Sequence, residues 1–145
     1  MLGRALERGE VADEAFAARE AAASITAEAR AEAELQLQDV AAPILSWWHG
    51  EGARWDILLT PVLRQPAWPL GSTGGAMDSG AFPAPFSITG QPAMSLPLAT
   101  SAAGLPIGVQ AVAAPGADAL LLRLAAQLEE AAPWRDRWPA IAGAG

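Results

Sequence analysis

Cysteine is absent from the 145 residues, which excludes disulfides, thiolate metal ligands and thiol nucleophiles together. Lysine is absent as well. All nine positive side chains are arginines: Arg4, Arg8, Arg19, Arg30, Arg54, Arg64, Arg123, Arg135 and Arg137. Tyrosine is missing and histidine occurs once, at His49, so three common proton-transfer groups reduce to a single candidate. A surplus of positive charge is also lacking. The net charge of −7 leaves no basic surface to displace phosphate counterions, so nucleic acid is not an expected partner. Long hydrophobic runs are missing too. The most apolar helical stretch, Ala117 to Ala126, is interrupted by Arg123 and is too short to cross a bilayer. The opening "MLGRALERGE" carries charges early and has no apolar stretch, so no secretory signal and a soluble, cytoplasmic protein are expected.

What is present is the composition of a globular protein, 52% hydrophobic, in a length that suits one domain. Residues Val11 to Val40 are rich in Ala and Glu without Pro or Gly, which predicts one long helix with a mostly alanine apolar face. A second helical piece is predicted over Ala42 to His49, with Pro43 in its first turn, ending at Gly50-Glu51-Gly52. "RWDILLT", Arg54 to Thr60, reads as a short buried strand between Gly52 and Pro61. Pro61 to Pro85 is punctuated by Pro and Gly and reads as a loop. Ala93 to Leu98 and Pro106 to Val112 read as two strands joined by a turn at Gly104, with Pro97 placing the first at an edge. Asp118 to Ala132 is the clearest helix. Leu121, Leu124, Ala125 and Leu128 form its buried face, Asp118 complements its N-terminal dipole and Pro133 stops it.

Several short motifs invite chemistry and fail on their own terms. His49-Gly50-Glu51 matches half of a zinc deaminase signature whose other half needs cysteines. "GSTGGAMDSG", Gly71 to Gly80, has the glycines of a phosphate loop without the lysine that reaches the phosphates. "WRDRWP", Trp134 to Pro139, interleaves arginine with tryptophan. In an acidic chain its indoles are expected to pack and its arginines to meet local carboxylates or solvent. Trp47 and Trp48 read as packing residues. Ser87, Thr89 and Ser95 have no neighbouring base to activate them and are expected to satisfy turn backbone.

Two longer stretches carry more. "WDILLTPVLRQPAWPLG" (Trp55 to Gly71) is followed by "FPAPFSITGQPAMSLPLATSAAGLPIGVQAVAAPGADALLLRLAAQLEEAAPWRDRWP" (Phe82 to Pro139). Together they resemble the C-terminal part of amidase signature family hydrolases. The order is the family's: a D-x-L-L-T-P strand, a Pro-rich loop and a P-F-x-x-T-G-Q-P-A-x-S-L-P-L segment. A G-L-P-I-G-V-Q strand, a Leu-rich helix and a W-x-x-R-x-P-like end come after it.

The resemblance implies an α/β fold in which short mixed-sheet strands are covered by helices, preceded by the Ala-rich helix. Residues 1–145 would then be a single partial domain, helical over 1–50 and strand, loop, strand–strand, helix over 51–145. It implies hydrolysis of carboxamide C–N bonds in the intact enzyme. The family's catalytic groups are a lysine and two serines, one of them the nucleophile, with an oxyanion hole of backbone N–H groups from a Gly/Ser-rich loop. Those segments belong to the family's N-terminal and middle portions, and Gly71 to Gly80 falls instead in its variable loop. With no lysine anywhere, no catalytic residue is assigned and the chain alone is expected to be inactive. Phe86, Ile88, Thr89 and Gly90 are expected near the substrate pocket, with Thr89-Gly90-Gln91-Pro92 as a hinge into a strand. Ser87 stands where the family commonly has Asn. The expected partners are a small-molecule amide in the intact enzyme, a missing N-terminal portion, or a second copy through uncovered strand edges. Neither a cofactor nor a metal is expected. The alternative reading is a non-catalytic interaction module or the subunit of a split enzyme.

Overall fold

The computed structural model of the chain describes residues 9–50, 52, 55–69 and 80–139. Residues Gly71 to Ser79 of the glycine-rich stretch, Arg54 and the Gly143 to Gly145 end lie outside them. The chain divides into two compact units, Met1–Val40 and Ala41–Gly145.

The first unit is helical but not a single helix. Helix α1 runs Asp13–Ala22, and α2 begins at Ala27 and continues to Trp47. The long helix expected over Val11 to Val40 is broken at Ser24-Ile25-Thr26, and hydroxyls make the break. The Ser24 hydroxyl donates to the Ala21 carbonyl at 2.7 Å, while the Thr26 hydroxyl accepts from the Ala29 N–H at 3.1 Å. Thr26 is thus the N-cap of α2, satisfying a donor that a continuous helix would have satisfied through backbone. Neither helix has a buried residue, and Ile25, Leu35, Leu37 and Val40 are all exposed. The Arg30 guanidinium donates to Glu34 at 2.9 Å one turn on. That hydrogen bond, and then the attraction of the carboxylate, raises the arginine's pKa further above neutrality. So exposed a pair stabilises the helix little.

The end of α2 differs from the expectation as well. Pro43 lies inside the helix rather than in the first turn of a new one, although it cannot donate to the carbonyl four residues back. The Ser46 hydroxyl donates to the Pro43 carbonyl at 3.0 Å.

Among the described residues the second unit is built on three antiparallel strands: β1 (Ile57–Pro61), β2 (Ala93–Thr100) and β3 (Pro106–Ala113), in the order β1-β3-β2. The strand expected from Arg54 thus starts at Ile57, and β2 runs on to Thr100. Pro97 has its predicted effect. β2 is an edge strand, and its register slips between Leu96, opposite Val109, and Ala99, opposite Ile107. Three steps along β2 match two along β3, which is a bulge at Pro97-Leu98. Facing that bulge, Gly108 is so closely packed that an added methyl would lie 2.8 Å from the Ser95 hydroxyl and 3.0 Å from a Val62 methyl. The β2–β3 turn rests on Gly104, at φ 80°, and on the Ser101 hydroxyl accepting from the Leu105 N–H.

Both faces of β3 are covered. On one face Ala111 and Ala113 meet Leu121 of α4 (Asp118–Ala131), with Ile57, Met94 and Leu124 around them. On the other, Val112 packs with Phe86 and Trp48, flanked by Ile44 and Leu58. The expected face of α4 is the one that turns inward: Leu121 is buried and Leu124, Ala125 and Leu128 are half-buried. Of the two adjacent tryptophans, Trp48 is buried, and its indole N–H has no acceptor among the described residues. Trp47 is exposed and lies parallel to Trp55, with ring centroids 6.0 Å apart.

Between β1 and β2 lies an element that the sequence does not announce, the short helix α3 (Ala84–Thr89). Pro83 and Pro85 fall in a stretch that reads as loop, but they occupy the start of the helix, where no N–H donor is needed. Gly90, in the left-handed conformation at φ 69°, ends it.

The inward face of α4 gives a direct test by chemical unfolding. Leu121→Ala should lose about 2–4 kcal/mol, while Leu122→Ala, whose side chain is 70% exposed, should stay within about 0.5 kcal/mol of the parent.

Candidate functional site

A row of polar side chains crosses the sheet, centred on β3. Gln110 stands opposite Thr60 of β1 and opposite Ser95 of β2. A glutamine buried to 4% exposure in a central strand must place its amide protons, since leaving them unbonded costs about 1–3 kcal/mol each. The Gln110 Nε2 donates to the Thr60 hydroxyl at 3.0 Å and to the Phe82 carbonyl at 3.3 Å. Phe82 immediately precedes Pro83 and α3, so this one side chain ties β1 and the entry to α3 to the central strand.

A second buried amide does the same at the exit of α3. Gln91 follows Gly90, and its Nε2 donates to the Ala113 carbonyl at the end of β3, at 3.0 Å. Its Oε1 accepts from the Thr89 hydroxyl at 3.0 Å. The Gln91 N–H donates to the Phe86 carbonyl, and the Ala113 N–H to the Pro92 carbonyl. The segment Thr89-Gly90-Gln91-Pro92 is therefore a rigid corner, pinned from both sides, between a helix and a strand.

Between α3 and the β2–β3 ladder these constraints leave a cleft of about 330 Å³. Phe86, Ser87, Gln91, Ser95 and Gln110 line it, with Val62 and Pro83 at its sides. The Ser87 hydroxyl donates to the Pro83 carbonyl at 3.4 Å and Ser95 is exposed. None of the lining residues titrates, so the two serines have no proton acceptor in the cleft. The cleft can shape and hydrogen-bond a ligand, and the described residues that line it include no general base. His49 is exposed and does not line it.

The four residues expected near a pocket separate here. Phe86 is buried, lines the cleft and reaches Val112 in the core. Thr89 acts one step back, through Gln91. Ile88 is 45% exposed, and Gly90 gives the helix its left-handed end. Reading the sequence for chemistry does not single out the two glutamines. Their available signal is a single amide inside each apolar run, "GQPAMSL" and "PIGVQAV", where a polar side chain has to find a buried partner.

With this geometry in view, comparison with known proteins is decisive about kinship. A family model described as Amidase matches residues 6–122. The chain belongs to the amidase family. Over 97% of its length it is 34% identical to the 6-aminohexanoate-cyclic-dimer hydrolase of Paenarthrobacter ureafaciens, of which it covers 31%. Over 59% of its length it is 33% identical to an acylamidase of Rhodococcus erythropolis, of which it covers 20%. The solved structure of 6-aminohexanoate cyclic dimer hydrolase complexed with substrate superimposes with a TM-score of 0.79 at 36% identity, over 95% of this chain and 31% of that one. The chain thus spans about a third of the length of the 6-aminohexanoate-cyclic-dimer hydrolase and about a fifth of the acylamidase, and among the described residues its amidase fold is α/β, with a three-stranded antiparallel sheet and four helices. No helix among the described residues is long and apolar enough to cross a membrane.

The amide staples can be weighed by equilibrium unfolding. Gln91→Leu strands the Ala113 carbonyl and should cost about 1–3 kcal/mol, whereas Thr89→Val removes only the half-buried hydroxyl and should cost less than about 1 kcal/mol.

Proposed function

We propose that this chain is the C-terminal portion of an amidase and supplies one wall of the cleft that receives a small-molecule amide. It does so without any of the groups that break the C–N bond. The observation that carries the reading is the superposition, at a TM-score of 0.79, of nearly the whole chain on about a third of a hydrolase solved with its substrate. Phe86 is the part of the wall that faces the cleft; Thr89 and Gly90 shape the end of α3 behind it, and Ile88 lies on its exposed side. The buried amides of Gln91 and Gln110 hold that wall at fixed distance from the sheet. The absence of lysine from the entire sequence, and of any titrating residue among the described residues lining the cleft, supports a positioning role rather than a chemical one. The family match runs through both compact units, which supports reading 1–145 as one partial amidase domain.

A second reading has its own observation. Leu35, Leu37 and Val40 are exposed along α2, and β1 has an unpaired outer edge among the described residues, so the chain also has surfaces suited to a protein partner or a second copy. In the amidase reading these surfaces receive the rest of an amidase.

Activity separates the two. The purified chain should release no 4-nitroaniline from acyl 4-nitroanilides above the uncatalysed rate, and co-expression with the N-terminal two-thirds of a related amidase should restore release. Hydrolysis by the chain alone would overturn the positioning role. Stable association with that portion without any gain in hydrolysis would favour the interaction module.

A further inference from the structure

A cavity of about 760 Å³ lies at the opposite end of the β2–β3 hairpin and shares no lining residue with the Phe86 cleft. Its volume falls in the range of roughly 300–1,000 Å³ typical of small-ligand sites. The fold builds it simply. Pro133 prevents α4 from continuing, and a turn in which the Arg137 N–H donates to the Trp134 carbonyl at 3.0 Å reverses the chain. Residues Trp134 to Pro139 then return over the hairpin, whose Pro97 and Pro106 face them across the cavity.

The chemistry of the lining is asymmetric. Trp134 and Trp138 contribute indoles, and Trp138 is 75% exposed, a large apolar surface left open. Arg135 and Arg137 contribute guanidiniums. Neither makes an ion pair or side-chain hydrogen bond with any described residue, although Glu129 shares the lining and Asp136 sits between them. From the sequence these arginines are expected to meet local carboxylates or solvent. Among the described residues they meet no carboxylate.

We propose that this cavity binds a small aromatic monocarboxylate, its ring against Trp134 and Trp138 and its carboxylate toward Arg135 and Arg137. A guanidinium presents a planar fork of donors that matches a carboxylate, and two of them without partners among the described residues favour an anion over a neutral ligand or a cation. The indoles and the two prolines favour a flat apolar body over inorganic phosphate, which would leave those walls unused. Glu129 restricts the choice further, because a second carboxylate on the ligand would meet a like charge.

Benzoate and benzamide, equal in shape and different in charge, are the probes. Each is titrated into the ¹⁵N-labelled chain while the indole N–H signals are followed, with Trp134→Phe and Trp138→Phe assigning the two at the cavity. Benzoate should shift those two signals, bind about tenfold more tightly than benzamide, and lose about tenfold in affinity in Arg135→Gln/Arg137→Gln. The benzamide comparison needs no variant, so it holds even if the substitutions disturb folding. Equal affinity for the two probes, an affinity untouched by the double substitution, or no shift at Trp134 and Trp138 would each overturn the proposal.

Discussion

The second unit depends on the requirement that β3, over Gln110 to Ala113, bury both of its faces while both of its edges are paired. It is the middle strand of three, so the backbone donors and acceptors along its paired length point sideways, to β1 or β2. Its side chains pack on two sides, Ala111 and Ala113 against α4, Val112 against Phe86 and Trp48. Small residues at 111 and 113 let α4 approach closely, while valine at 112 fills the deeper side. What makes this strand more than a hydrophobic spacer is Gln110. An amide in that position has to be hydrogen-bonded, and the partners it takes are a strand residue and the carbonyl that leads into α3. Core and cleft thus meet in the same short stretch, Gln110 to Ala113.

Much of this is legible in the sequence, for reasons that differ element by element. The period of Leu121, Leu124, Ala125 and Leu128 is a helical face whatever surrounds it, and it is the face that packs. Pro97 marks an edge because it offers no N–H, and β2 is an edge. The misreadings have a common physical source: residues whose meaning depends on position rather than type. Pro83 and Pro85 break a helix in its middle and begin one at its start. Ser24 and Thr26 look harmless inside an alanine-rich run until their hydroxyls bond backbone and end one helix and cap the next. Gln91 and Gln110 could be surface amides by composition, and only the pairing of the strands puts them inside.

The cleft illustrates how a family can be named by a segment whose described cleft-lining side chains do not titrate. The resemblance rests on P-F-x-x-T-G-Q-P-A-x-S and G-L-P-I-G-V-Q, and each position with a visible job there is structural. The glycine after Thr89 takes a left-handed turn, and Gln91 and Gln110 hold backbone. Gly108 leaves room for Ser95 and Val62. These are demands of geometry, and they are met by specific residue types at specific spacings, which is why the stretch is so recognisable.

The bulge at Pro97-Leu98 has a consequence for how the sheet behaves toward other chains. It interrupts the regular spacing of backbone groups along the outer side of β2, whereas the pairing of β1 with β3 shows no such slip. Among the described residues the two rims of the sheet are therefore unequal as templates: a newcomer strand would find a regular row of backbone groups beside β1 as far as Pro61 and a broken one beside β2. Strand addition to the described residues is thus favoured beside β1 and hindered beside β2.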